Sequence, residues 1–329
     1  MDMSRPLIRA ACLFSVGALM AAAGERLTIG EPQLIEAANT FAHEGPSWDP
    51  KGGWLYFVGG NRVSRVNPEG KVETVLNPSP GANGSLVDKQ GRVIVCESGA
   101  PARRVIRIEK DKSITVLADN YEGKKFNSPN DVALDSKGRV YFTDPRYGAR
   151  TTMEIKDASG RLIEGVYRVD APGKVTRILG TEIDRPNGIL ISGDDKYLYI
   201  ADNNNGEGGS RKLLRFDLRK DGTVAPDSRK VIFDFHTARG PDGFKMDTKG
   251  NFYVAGGRNA ASRTETVNEF KGGLFIISPQ GKLIEFLGFP KDETTNCAFA
   301  GPDLKTLYVT SAEQLYKIRV KNAGRISAR

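Results

Sequence analysis

The chain has 329 residues, of which 39% are hydrophobic and 27% charged, with 37 glycines, 17 prolines and no long biased tract. This composition is typical of a globular protein and excludes a low-complexity chain. The formal net charge is +8, but the 48 lysines and arginines are spread along the chain without a basic block or a nucleic-acid-binding motif. A solvated charged surface is therefore expected, and nucleic acid is not expected as a partner.

Residues 1–23 have the layout of a secretory signal peptide. Arg5 and Arg9 precede an apolar run that ends in small residues and is too short to be a comfortable membrane span. The sequence predicts cleavage near Ala23, a mature chain of residues 24–329 without membrane association, and a periplasmic or secreted location. A retained N-terminal anchor is the alternative.

Six segments along the chain repeat one pattern: an apolar stretch, an Asp-rich turn usually closed by glycine, and a second apolar stretch. The third reads DVALDSKGRVYFTDP, and each segment predicts a β-hairpin. A further strand with its own turn follows most of the hairpins. This repetition predicts an all-β fold, a single six-bladed β-propeller domain over residues 24–329 with four-stranded blades. The repeated segments are 46–60, 84–98, 131–145, 188–202, 243–257 and 297–311.

The two ends of the chain predict how the ring of blades closes. The residues after Asn296 suffice for three strands, whereas EPQLIEA at 31–37 stands before the first hairpin without a partner of its own. We therefore expect the N-terminal strand to be the outer strand of the last blade, because this pairing leaves no blade edge open. A sandwich of short strands is the alternative, but it does not require matching turns.

Each hairpin carries a Glu, Asp or Asn five residues before its turn. The innermost strands of a propeller line the central channel, so equivalent positions in the blades form a ring about the axis. These side chains are expected to converge at one mouth of the channel. Turn capping is the alternative explanation, since Asn and Asp before Gly often cap turns. The ring residues are Glu44, Asn83, Asn130, Asn187, Asp242 and Asn296.

The ring offers oxygen ligands only. Glu44 and Asp242 are carboxylates, no member is a cysteine, and His43 and His236 fall outside the ring positions. This donor set suits a hard divalent cation, Ca²⁺ first, then Mg²⁺ or Mn²⁺, with Zn²⁺ a poorer match. The two carboxylates would neutralise the charge of the ion.

The second strand of each hairpin returns to the mouth from which the first strand starts. Its end therefore lies beside the ring, which places Glu97, Asp144, Tyr147 and Asp202 there. We take Asp144 and Tyr147 as candidates for substrate binding. Simple solvation is the alternative explanation for acidic residues at strand ends.

Five longer motifs connect these residues to a known family. They are EGP at 44–46, NSPNDVALDSKGRVYFTDPRYG at 127–148, RPNGILIS at 185–192, GPDGFKMDTKGNFYVA at 240–255 and TNCAFAGPDLKTLYVTS at 295–311. In order and spacing, from about residue 40 to residue 320, they resemble the gluconolactonase branch of the gluconolactonase/regucalcin family. The resemblance implies a six-bladed propeller that hydrolyses lactones with Ca²⁺ or another divalent metal. It also implies that Glu44, Asn187 and Asp242 bind the metal, that Asp242 is the catalytic acid/base, and that Asn130 contacts the substrate.

The sequence departs from the family pattern at Ser128. The regucalcin-like members carry a substrate-contacting arginine there, two residues before the asparagine that corresponds to Asn130, so their substrate need not be the substrate of this chain. The predicted function is a gluconolactonase-type lactonase. Its metal would polarise the lactone carbonyl, while Asp242 takes a proton from the attacking water and returns it to the ring oxygen. The alternatives are a non-catalytic propeller, whose metal only holds the channel together or whose mouth binds a ligand or protein, and a hydrolase that acts on another lactone or a phosphoester at the same site.

Overall fold

The computed structural model describes residues 26–34 and 41–326. The predicted signal peptide and its cleavage site lie outside the described residues, so export stays a prediction. Within these two ranges, no helix is both long and apolar enough to cross a membrane. The regular structure there is almost entirely β-strand, with a short 3₁₀-helix at Arg150–Thr152.

The strands form six antiparallel four-stranded sheets and one small hairpin. The chain begins with β1 (Thr28–Leu34). Blade 1 contains β2 (Glu44–Asp49), β3 (Trp54–Gly59), β4 (Arg62–Val66) and β5 (Val72–Leu76). Blade 2 contains β6 (Ala82–Val87), β7 (Val93–Glu97), β8 (Arg104–Ile108) and β9 (Ile114–Ala118), and the small hairpin β10 (Asn120–Tyr121) and β11 (Lys124–Lys125) follows it. Blade 3 contains β12 (Val132–Leu134), β13 (Val140–Asp144), β14 (Gly165–Ala171) and β15 (Lys174–Leu179).

The second half of the chain repeats this order. Blade 4 contains β16 (Pro186–Ile191), β17 (Tyr197–Asn203), β18 (Arg211–Leu218) and β19 (Val224–Asp234). Blade 5 contains β20 (Pro241–Met246), β21 (Phe252–Gly256), β22 (Gly273–Ile277) and β23 (Leu283–Gly288). Blade 6 contains β24 (Thr294–Ala300), β25 (Thr306–Ser311), β26 (Gln314–Val320) and β1. The first strands of neighbouring blades pack against one another around the channel, so the predicted six-bladed propeller is confirmed.

The repeated aspartate of the hairpins holds the turn. Asp135 Oδ1 accepts the backbone N–H groups of Lys137 and Arg139, both at 3.0 Å, and Asp135 Oδ2 accepts Arg139 Nε at 2.6 Å. Asp88 makes the equivalent bonds in blade 2. Gly138 closes the turn at φ +78°, a conformation that glycine adopts without strain.

The hydrophobic core lies between the faces of neighbouring blades. One apolar cluster joins blade 2 to blade 3 and includes Phe126, Phe142 and Tyr167, whose ring centroids lie 5.0, 5.2 and 5.4 Å apart. Cys96 and Cys297 are buried and unpaired. Such dense packing on both faces keeps the inner strands in fixed positions.

The N-terminal strand closes the propeller, as predicted. β1 pairs with β26 in antiparallel orientation, from Thr28 opposite Val320 to Leu34 opposite Tyr316. The strand starts at Thr28, three residues before the predicted 31–37 segment, whose last three residues lie outside the described ranges.

The buried Glu285 side chain on β23 also holds this strand. Its carboxylate accepts the N–H groups of Leu27 at 2.6 Å and Thr28 at 3.1 Å, and it pairs with Arg26 Nε at 3.0 Å. The hydroxyl of Thr28 donates to the same carboxylate. A blade 5 side chain therefore fixes the strand that completes blade 6.

We expect Glu285→Ala to destabilise the propeller by roughly 2–4 kcal/mol, because unpaired buried donors cost about 1–3 kcal/mol each. Release of β1 would also expose the edge of β26 and promote aggregation. Thermal unfolding and light scattering measure both effects. Glu269→Ala, which changes an exposed glutamate, is the control, and equal melting of the two variants would contradict the role of Glu285.

The C-terminal segment covers the channel end opposite to the ring. Ala323 accepts the N–H of Thr248 at 2.8 Å, and Arg325 donates its N–H to Met246 at 2.9 Å. Thr248 and Met246 lie at the turn end of β20, whereas Asp242 lies at its start. The C-terminal segment therefore lies at the end of the inner strands that is away from the ring.

Candidate active site

The inner strands contact one another at the predicted ring. A β-carbon added at Gly45 would lie 2.4 Å from the carbonyl oxygen of Asn83, and one added at Gly84 would lie 2.5 Å from that of Asn130. Glycine is therefore required after Glu44 and after Asn83, because a larger residue would separate the blades.

The contacts continue around the ring and close it. A β-carbon at Gly188 would lie 2.4 Å from the carbonyl oxygen of Asp242, and one at Gly243 would lie 2.0 Å from Asn296 Cγ. Asn296 Nδ2 donates to Glu44 Oε2 at 2.9 Å, which joins blade 6 to blade 1. The remaining junction is made by the Thr143 hydroxyl of blade 3, which donates to the Asn187 carbonyl at 2.6 Å.

The Asn-Gly and Asp-Gly pairs of the ring lie inside inner strands and not in turns. They belong to β6, β16 and β20, so turn capping does not explain them. The pairing of inner and second strands also shifts register next to the ring residue in blades 1, 2, 4, 5 and 6. Such bulges bend a strand and re-aim its side chains, which they do here at the channel mouth.

Glu44 and Asp242 bring two carboxylates together in a buried setting. Burial, followed by the charge of Asp131, raises the pKa of Glu44. Burial, followed by the charge of Glu44, raises the pKa of Asp242 well above its usual range, against the opposing effect of Arg239. Burial and the neighbouring like charges thus disfavour ionisation of both carboxylates.

The ring residues fit a hard divalent cation. Besides the two carboxylates, Asn83 supplies a buried Oδ1 that accepts no hydrogen bond within the described ranges. A buried carbonyl oxygen without a donor suits a metal ligand. No group of three or more His, Cys, Asp or Glu in the described ranges could hold a metal, so amide oxygens would have to complete the site.

Tyr147 orients the side chain of Asn187. Asn187 Nδ2 donates to the Tyr147 hydroxyl at 2.9 Å, which leaves Asn187 Oδ1 available as a ligand. The Arg185 guanidinium lies 5.4 Å from the centroid of the Tyr147 ring, and 42% of Tyr147 is exposed. Burial of the hydroxyl, with the charge of Asp242, raises the pKa of Tyr147. Tyr147 thus lies between the ring and solvent, where the sequence predicted a substrate-binding residue.

Asn130 is held in the ring through its backbone. Its backbone is held by bonds from its N–H to Thr143 and from the Gly84 N–H to its carbonyl. Its side chain makes no hydrogen bond within the described part of the chain, although the residue is only 7% exposed. The amide is therefore free to bind a ligand at the mouth.

Asp144 is fully buried and holds the loop that leads to Asn130. Its two carboxylate oxygens accept the N–H groups of Asn127 at 2.9 Å and Ser128 at 2.8 Å. Burial raises the pKa of Asp144 to about 7, although these bonds oppose the shift. The structure thus gives Asp144 a positioning role, and direct contact with substrate would require this loop to open.

The other strand-end carboxylates have comparable roles. Asp202 accepts the N–H of Arg185 at 2.7 Å, and Glu97 binds the Ser79 hydroxyl at 2.8 Å and Arg104 Nε at 2.6 Å. Both are buried, so the explanation by simple solvation is wrong for them.

Asp131 and Lys245 lie beside the ring, although the sequence pattern did not predict them there. Asp131 follows Asn130 and is buried, with its carboxylate accepting the Val132 N–H at 2.8 Å. Lys245 Nζ lies 3.4 Å from Asn296 Oδ1, and its charge opposes the rise that burial causes in the pKa of Asp131. The repeat itself marks Asp131 as unusual. In four blades the ring residue is followed by glycine, whereas Asn130 is followed by Asp131.

Arg239 is a further missed residue and lies beside Asp242. Its guanidinium is fixed by Glu265 Oε1 at 3.2 Å and Glu293 Oε2 at 2.7 Å. Because both partners are carboxylates, the positive charge next to Asp242 is largely balanced.

The chain is similar in sequence to known proteins over most of its length. The family model described as SMP-30/Gluconolactonase/LRE-like region matches residues 42–313. A gluconolactonase from Zymomonas mobilis is 30% identical over 320 residues, covering 91% of this chain and 84% of the relative.

Two solved structures share the fold. A putative gluconolactonase superimposes with a TM-score of 0.73 at 24% identity, covering 92% of this chain and 98% of that one. A regucalcin from Agrobacterium tumefaciens, described as a calcium-binding protein, superimposes with a TM-score of 0.69 at 19% identity, covering 91% and 96% of the two chains.

Proposed function

The chain belongs to the SMP-30/gluconolactonase/LRE-like family, and from this premise we propose that it is a divalent-metal-dependent lactonase of the gluconolactonase type. The ring supports the proposed metal dependence, because Glu44 and Asp242 converge there with amide oxygens in a buried mouth. Glu44, Asn187 and Asp242 would hold the ion, with Ca²⁺ the first candidate.

When bound, the cation would supply Lewis-acid polarisation of the lactone carbonyl and stabilise negative charge in the transition state. Tyr147 contributes by holding the Asn187 amide so that its oxygen remains available. Glu44 contributes charge, and its position is fixed by the bonds from Asn296 and from the Gly45 N–H.

Asp242 is the general base in this proposal. It takes a proton from the attacking water as the water oxygen bonds to the carbonyl carbon, and it returns this proton to the ring oxygen when the ring C–O bond breaks. Burial and the charge of Glu44 raise the pKa of Asp242 in the metal-free protein, and a bound cation would keep its carboxylate ionised and able to accept this proton. No covalent intermediate with the protein is required.

A panel of lactones assayed with and without chelator tests the proposal. Hydrolysis that is lost in chelator and restored by Ca²⁺, Mg²⁺, Mn²⁺ or Zn²⁺ would support it. Metal binding without turnover would indicate a non-catalytic propeller, and turnover of phosphoesters alone would assign a different hydrolase.

We expect Asn130→Ala to raise KM by about 10-fold while changing metal affinity much less, because one hydrogen bond to the substrate would be lost. This expectation rests on the free side-chain amide of Asn130 at the mouth. Steady-state kinetics gives KM, and calorimetric titration gives the metal affinity. A collapse of metal affinity would instead make Asn130 a metal ligand.

A further inference from the structure

Arg146 brings a guanidinium to the ring mouth. Its Nη1 donates to the Ser128 hydroxyl oxygen at 3.1 Å and lies 3.4 Å from the carbonyl of Asn127, and its Nε donates to Ala149 at 3.0 Å. Its Nη2 makes no hydrogen bond to any residue of the described ranges. Two N–H donors of a fixed cation are therefore left for a ligand.

Neighbouring carboxylates fix the backbone of Arg146 and of Ser128 without pairing with the guanidinium. Glu164 accepts the backbone N–H of Arg146 at 2.7 Å, and Asp144 accepts that of Ser128 at 2.8 Å. Both carboxylates are buried. Ser128, which Arg146 contacts, and the backbone of Arg146 are thus positioned before any substrate arrives.

The charge of Arg146 distinguishes it from the other arginines of the mouth. Arg185 pairs with Glu164 at 2.9 Å, and Arg239 pairs with Glu265 and Glu293. Arg146 forms no ion pair within residues 26–34 and 41–326. A cation without a partner favours an anionic ligand, because covering it with a neutral group would remove water without replacing the lost interactions.

We propose that Arg146 determines specificity by binding an anionic substituent of the lactone. This substituent would be a carboxylate, sulfonate or phosphate at a position distant from the reacting carbonyl. This inference rests on the proposed function. Ser128 precedes Asn130 by two residues, so its contact with Arg146 lies at most about 7 Å along the chain from Asn130. A lactone whose carbonyl lies at the ring can therefore place a distant substituent at Arg146.

The test compares two lactones that differ at one carbon. D-Glucono-1,4-lactone carries a hydroxymethyl group at carbon 6, and D-glucaro-1,4-lactone carries a carboxylate there. For wild type and Arg146→Gln, kcat and KM are measured on both. We expect the substitution to lower the ratio of kcat/KM for the anionic lactone over the neutral lactone by about 10- to 100-fold, mainly through KM. Arg146→Lys should give an intermediate ratio, because the charge remains but the planar fork is lost.

Arg229→Gln, a change of an exposed arginine on β19, is the matched control and should leave the ratio unchanged. Equal losses on both lactones in Arg146→Gln would overturn the inference and indicate a structural role only, with the proposed function intact. A wild-type protein that hydrolyses no lactone of the panel with any of the four metals would overturn the proposed function and this inference together.

Discussion

Asp242→Asn should lower kcat by about 10²- to 10⁴-fold at metal concentrations that saturate the variant, because an amide does not accept the proton of the attacking water. The amide keeps the shape of the side chain and an oxygen that can face the ion. The propeller should therefore fold, and metal affinity should fall through the lost charge. Kinetics over a metal titration separates the two effects.

Glu44→Gln is the matched control, since it removes the same charge from a residue that only ligates the metal in our proposal. Its activity should recover to a much greater extent when metal is saturating. Equal recovery of the two variants would show that Asp242 is a ligand and that the base lies elsewhere. Asp144 and Asp202 would be tested next, although both already accept backbone N–H groups.

Removal of divalent metal should abolish hydrolysis and lower the melting temperature, and Ca²⁺ should restore both. An ion at about 1,000 times its Kd stabilises the folded state by about 4 kcal/mol. For a chain of this size that corresponds to a shift of roughly 8 °C. Unchanged melting and activity after metal removal would refute a metal role.

The effect of metal on stability should also depend on pH. In the metal-free protein, the pKa values of Glu44, Asp131 and Asp242 are raised above those of the unfolded chain. The folded state then retains protons that the unfolded chain releases above about pH 4, so the contribution of these groups to stability falls as pH rises through their folded pKa values. A bound cation removes this penalty.

The difference in melting temperature between Ca²⁺-loaded and metal-free protein should therefore widen from about pH 5 to about pH 8. Metal-free protein prepared by dialysis is preferable to protein in chelator, because chelators also bind protons. A difference that narrows with rising pH would contradict the assignment of these carboxylates to the metal.

The sequence by itself determined the architecture and the composition of the ring. Strand alternation, Asp-Gly turns and the spacing of repeats are local properties of the sequence. The turn from Asp135 to Gly138 is an example, because it is held by hydrogen bonds among residues four or fewer positions apart. Because every blade repeats the same local pattern, equivalent positions could be assigned to one mouth, and the structure brings all of them there.

Only the tertiary structure decided how the mouth is completed. Asn296 and Glu44 form a hydrogen bond across 252 positions of the chain, and Tyr147 reaches Asn187 across 40. Asp131 occupies a repeat position that four other blades give to glycine. The charge of Lys245, from another blade, opposes the rise that burial causes in the pKa of Asp131. Such contacts depend on the distance and direction between side chains from different blades. Bulges and the packing between blades set this distance and direction, and a local sequence pattern does not encode them.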